Sequence, residues 1–181
     1  MELLLIGMGA LSVRSIMQIN QRTDKLYEEH VLPTHLLYDL RANSFKMQTA
    51  VTWHILTYGT AMMVTQEQEI AALDKAFQAL LDGYTPYISS PQEQALYEDI
   101  EARWHNVQAT REKVLQLSTL YSKDAAADLQ RGEGAVRLAA FTVAIQRLIE
   151  LNKDQAADDH AVSSAQVSDL IHYTLLITVG G

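Results

Sequence analysis

The chain has no cysteine among its 181 residues, and only three prolines and eight glycines. The first absence excludes thiolate catalysis, structural disulfides and sulfur-ligated zinc or iron–sulfur centres. The scarcity of helix-breaking residues leaves room for long helices. Positive charge is also in short supply: 14 Lys plus Arg stand against 22 Asp plus Glu, a formal charge of −8, with no basic cluster. Nucleic-acid binding depends on a positive stripe that displaces counterions, so no such partner is expected. A di-iron carboxylate bundle would need Glu-x-x-His on two helices, and that spacing is missing. Tyr27, Leu32, Val51, Ala102 and Ala157 stand three residues before His30, His35, His54, His105 and His160, and only Asp169 precedes His172. Neither a Gly-rich phosphate loop nor a nucleophile elbow occurs. No enzyme, metal or cofactor is expected.

The composition that remains, 48% apolar and 20% charged, is that of a globular domain of ordinary length. Two uncharged stretches stand out, Leu3 to Val13 and Leu170 to Gly181. Each falls short of the roughly 20 apolar residues of a bilayer-crossing helix. They read as truncated transmembrane helix stumps flanking a soluble excursion, the alternative being core helices at the two ends of a complete soluble protein. The expected division is residues 1–20 as the end of a first membrane helix with its proximal segment, 21–165 as the soluble domain, and 166–181 as the start of a second membrane helix.

Between the ends, apolar residues recur at three- and four-residue steps, the helical period. A first helix is expected from about Thr34 to Met63, with Pro33 kinking or interrupting its junction with the helical pattern of Asp24 to His30. Thr65 and Gln68 fit a cap and its reciprocal partner for a second helix. Ser90-Pro91-Gln92-Glu93 is the clearest boundary, and Ser122 or Asp124 should cap a long fourth helix. Four long helices with short turns predict an all-α, antiparallel up-down-up-down four-helix bundle. Gly132-Glu133-Gly134, near the start of the fourth helix, reads as a close-packing or helix-weakening element.

Charge on apolar stripes is the unusual chemistry. Arg41 shares a face with Leu37, Ser44 and Gln48, and Arg111 sits between Trp104 or Val107 and Val114. An inward arginine is costly unless paired. Each arginine either lays its stem across the stripe, pairs with a bundle carboxylate such as Glu112 or Glu133, or awaits a carboxylate ligand. His54, Thr57 and Tyr58 lie near the first inter-helix turn. Tyr58 and Trp104 are equally readable as core aromatics. Lys46 reads as a surface charge within one subunit and as a ligand contact across a dimer.

The run Tyr27-Glu28-Glu29-His30-Val31-Leu32-Pro33 with Leu40-Arg41-Ala42-Asn43, the Pro91-capped helix, and Leu148-Ile149-Glu150-Leu151-Asn152-Lys153-Asp154-Gln155-Ala156 resemble the four-helix-bundle sensor domain of bacterial methyl-accepting chemotaxis receptors. The resemblance covers nearly the whole chain. It implies a periplasmic domain between two inner-membrane helices that forms a homodimer or higher oligomer through its helices, binds small attractants and shifts a membrane helix to control a kinase. In the aspartate-sensing branch, arginines on the first and fourth helices and a threonine early in the fourth hold the ligand across a dimer interface. Arg41 looks like the first of those arginines and Lys46 falls close to a second. No further arginine follows before Met63, and Arg131 stands near the threonine position. A pocket within one subunit, lined by Arg41, His54, Thr57, Tyr58, Trp104 and Arg111, resembles instead the relatives that sense organic acids. The expected function is thus a small-carboxylate sensor, the alternative a structural or protein-interaction bundle without a small ligand. Neither a methylation coiled coil nor a HAMP linker is present, which implies the sensing half alone.

Overall fold

The computed structural model describes residues 23–179 together with Arg14, Met17, Asn20 and Gln21, with side chains as far as Val162 and at Ser164. The helices are α1 (Leu32–Leu56), α2 (Thr60–Tyr84), α3 (Pro91–Thr119), α4 (Lys123–Leu129) and α5 (Ala135–Val179), with π-helical turns at Tyr27–Val31 and Gln130–Gly134. No strand occurs among the described residues. The chain divides into two compact units, Thr34–Leu151 and Met1–Pro33 with Asn152–Gly181.

The unit Thr34–Leu151 is an antiparallel four-helix bundle in which α4, the wide turn and α5 together supply the fourth limb. Leu37, Leu40, Met47 and Val51 of α1 are buried at helical spacing. Across from them, one aromatic ring from each of three helices fills the centre: Phe77 stacks on Trp104 at 3.8 Å between centroids, and Phe141 tilts against Trp104 at 5.1 Å. Ser90 begins α3 with a full capping box. Its hydroxyl accepts from Glu93 N–H at 3.1 Å, the Glu93 carboxylate accepts from Ser90 N–H at 3.0 Å, and Pro91 takes the first turn. At its other end α3 closes through Tyr121 in the left-handed conformation, φ 59°, with Ser122 N–H donating to Leu117 O at 2.9 Å.

The first inter-helix turn differs from expectation. The helix ends at Leu56, the turn is Thr57 to Gly59, and α2 starts at Thr60. Thr65 does not cap. It lies inside α2 with its hydroxyl donated back to Ala61 O at 3.1 Å, the alternative use of a threonine hydroxyl within a helix.

The turn at Gln130–Gly134 has a geometric cause. Ala126 and Leu138 are both buried, twelve residues apart. At about 100° per residue an uninterrupted α-helix would put them about 120° out of phase, and absorbing one extra residue reduces this to about 20°. In the other unit, the turn Tyr27–Val31 is closed by Leu32 N–H donating to Tyr27 O. It widens the ladder directly ahead of Pro33, whose ring crowds the turn before it. His30 Nε2 lies 3.0 Å from Asp159 Oδ2 within that unit.

Among the described residues no helix is long and apolar enough to cross a membrane. The expected segment 1–20 falls almost wholly outside the described residues, and the side chains of 166–181 do as well, although the backbone is helical to Val179.

Candidate ligand site

A recess opens between α1, α3 and the fourth limb of the bundle. Met47, Val51, Trp104 and Leu138 form its apolar walls, and Ser44, Gln48, Thr110, Arg111 and Gln130 supply polar groups. Its volume, about 20 Å³, is room for little more than one water.

Arg111 is the charge in this wall. It is only 7% exposed, and one terminal nitrogen, Nη2, is ion-paired with Asp74 of α2. The guanidinium also lies over the Trp104 ring, 5.8 Å from its centroid. The other two nitrogens, Nε and Nη1, are buried with no hydrogen-bond partner among the described residues. A guanidinium carries five donors in a fixed fork, so one acid leaves most of that capacity unmet beside the recess. Thr110 donates to Asn106 O at 3.2 Å and sits 3.4 Å from Glu133 Oε1. Gly134 completes the floor. A Cβ there would meet Gln130 Oε1 at 2.9 Å, so the missing side chain gives the Gln130 amide its place.

Of the residues singled out from sequence, the recess gathers Trp104 and Arg111. Arg41 is half-buried on α1, donating weakly to Gln146 Oε1 at 3.4 Å and stacking 6.0 Å from the Phe45 ring. Lys46 is exposed on the helix surface. Arg131 is held by Asp128 at 2.6 Å with both side chains in water. The acid on Arg111 is neither Glu112, which is exposed, nor Glu133, which pairs with Arg137. Asp74 does that work from the neighbouring helix. Gln130 and Gly134 were not singled out as site residues, although the doubled glycine marked this stretch as unusual.

His54, Thr57 and Tyr58 belong to a second cluster, at the pole of the bundle where the turn after α1 meets the turn after α3. Thr57 donates to Trp53 O at 2.8 Å, and Tyr58 is 69% exposed. His54 is fully buried, with Nδ1 2.9 Å from Ser118 Oγ and Nε2 3.2 Å from Glu67 Oε1. The Ser118 hydroxyl itself donates to His54 O at 3.0 Å, so its one hydrogen is used on the backbone and its oxygen is left to accept. Below them Lys123 is 7% exposed and donates to Ser118 Oγ at 2.7 Å, His54 O at 3.0 Å and Met63 Sδ at 3.4 Å. The rings of Tyr58 and Tyr121 stand 5.7 and 5.9 Å from its ammonium. Among the described residues no carboxylate bonds it, and burial pushes its pKa below the ordinary lysine value.

The chain matches, over residues 1–167, the family described as a four helix bundle sensory module for signal transduction. No curated protein matches it.

Proposed function

The chain belongs to the family of four-helix-bundle sensory modules for signal transduction, and from that membership we propose that it is the periplasmic sensing domain of a chemotaxis receptor that takes a small organic acid at the Arg111 recess. The observation that carries this reading is the buried guanidinium with two nitrogens unpartnered beside a hollow. An unsatisfied buried donor costs on the order of 1–3 kcal/mol, more when charged, and an anionic oxygen is the acceptor that removes the penalty. The Gln48 and Gln130 amides at the same wall can hold a second oxygen.

A cavity of about 20 Å³ admits such a ligand only when its walls part. That requirement is the basis of signalling: a ligand that binds the widened arrangement and not the narrow one shifts the balance between them by its differential affinity. The readout runs along α5 toward the apolar C-terminal stretch, which in this reading enters the inner membrane, as does the N-terminal one.

The exposed face of α1 supports a homodimer. Tyr38, Phe45 and Thr52 recur seven residues apart, as do Ala42, Thr49 and Leu56, and all six are exposed. Tyr38, Ala42, Phe45 and Leu56, with two threonines whose hydroxyls bond back to their own helix, make an alternating four- and three-residue seam open to solvent, the pattern of a helix that packs on a second copy. Lys46, next to Phe45 on this face, then lies at the interface.

Thermal denaturation and calorimetry with a panel of dicarboxylates, tricarboxylates and benzoates test the assignment. At least one acid should raise Tm in the parent, and Arg111→Gln should abolish that shift while Arg41→Gln leaves it in place. A flat panel, or a response that persists in Arg111→Gln, refutes the carboxylate site. Sedimentation with and without the active acid tests the dimer, which Phe45→Glu should dissociate.

A further inference from the structure

Glu29, His30 and Asp159 belong to the unit Met1–Pro33 with Asn152–Gly181, and none of them lines the recess. Each offers one ligand atom, and these atoms all fall within 4.8 Å of one another. The His30 side chain is 12% exposed, so its ring is held by packing, whereas Asp159 at 60% is open to solvent. Glu29 is paired at 3.5 Å with exposed Lys25, a contact it can relinquish cheaply. Two features make this more than an acidic patch. One ligand is an imidazole with its Nε2 already aimed at a carboxylate. In addition, Glu29 and His30 both sit in the π-helical turn, a wide turn of the kind that recurs at functional sites.

We propose that Glu29, His30 and Asp159 form a divalent transition-metal site, with water completing the coordination. The donor set is one nitrogen and two carboxylate oxygens, which favours Zn²⁺, Co²⁺ or Ni²⁺ over Mg²⁺ or Ca²⁺, since the latter prefer all-oxygen shells. Ligand atoms about 2.1 Å from a tetrahedral ion stand roughly 3.4 Å apart. The 3.0 Å between His30 Nε2 and Asp159 Oδ2 is close to that separation, and Glu29 has only to rotate inward. Two carboxylates and a neutral imidazole supply two negative charges, which a divalent ion cancels. The ligands come from stretches 129 residues apart in sequence. The ion therefore ties the segment entering α1 to the late part of α5, independently of any acid bound near Arg111.

The test uses the full chain, stripped with EDTA and titrated with Co²⁺ by visible absorption and with Zn²⁺ by calorimetry, with Mg²⁺ as comparison. About one equivalent of Co²⁺ or Zn²⁺ should bind per chain, with a rise in Tm, and Mg²⁺ should do neither. His30→Ala and Asp159→Asn should each weaken binding at least about tenfold. His35→Ala should not, which separates this site from the exposed His35 and Asp39 pair, 3.1 Å apart on one helix. Asp159 is exposed, so its variant retains the fold and keeps the test open if His30→Ala is unstable. Absence of saturable binding, equal response to Mg²⁺, or binding indifferent to Asp159→Asn overturns the site.

Discussion

Arg111 and Lys123 are equally buried, each 7% exposed, yet the molecule accommodates them in opposite ways. Arg111 has an acid partner and spare donors, while Lys123 has no acid but places its ammonium against a hydroxyl, a carbonyl, a thioether and two tyrosine rings. Burial alone therefore does not mark a ligand site. The lysine cluster is closed, every donor spoken for, and it knits the end of α1 to the ends of its neighbours. The arginine is balanced in charge and incomplete in hydrogen bonding, which is the condition an incoming oxyanion can relieve.

The comparison can be broken most severely at Asp74. Asp74→Asn strips the buried guanidinium of its counter-ion, and because Asp74 is itself 29% exposed the loss should be about 2–3 kcal/mol, below that of a fully buried pair. Urea denaturation measures it. The same variant should respond more strongly to the active acid than the parent does, since the competing carboxylate has gone. A weaker response would mean that Asp74 orients the guanidinium and does not compete for it.

Lys123→Met comes next, with an expected loss of about 1–2 kcal/mol at neutral pH as Ser118 and the His54 carbonyl lose a donor. Its pH dependence is more telling. With the folded pKa depressed below the unfolded value of 10.5, the unfolded chain holds a proton between those two values that the folded chain has released. Stability from this group thus rises with pH across that window. The parent should therefore gain on Lys123→Met as pH climbs toward 10.5, and parallel profiles would show that the lysine is not desolvated. The smallest effect belongs to Arg131→Ala. Its pair with Asp128 is 75% exposed on both sides, so stability should move by less than about 0.5 kcal/mol and the response to acids should be unaltered.

The helices were legible from three- and four-residue spacing because burial on one face leaves that trace in any bundle, and the Ser90–Glu93 boundary was legible because a capping box is local chemistry. The first turn was displaced because Ala61-Met62-Met63-Val64 continues the apolar rhythm past a single glycine, and because a threonine can cap a helix or bond back within one. Arg111 was readable as an inward charge, but its partner was not: Asp74 lies 37 residues away, and which acid faces it depends on the relative rotation of two helices. Lys123 escaped notice for a related reason. A lysine beside a predicted cap reads as surface, and only the meeting of two turns buries it. The Glu29, His30 and Asp159 cluster was invisible to a search for ligands three positions apart on one helix.

The surplus residue at Gln130–Gly134 has a mechanical consequence. A hydrogen-bond ladder holding one residue too many can pass the excess to the next turn, and each side chain overtaken swings by about a third of a revolution while both ends of the limb stay anchored. A rod built this way can reorient a few neighbouring groups, Gln130 among them, without sliding along its length. Rotation confined to that stretch needs no disruption of the aromatic trio that holds the middle of the bundle together.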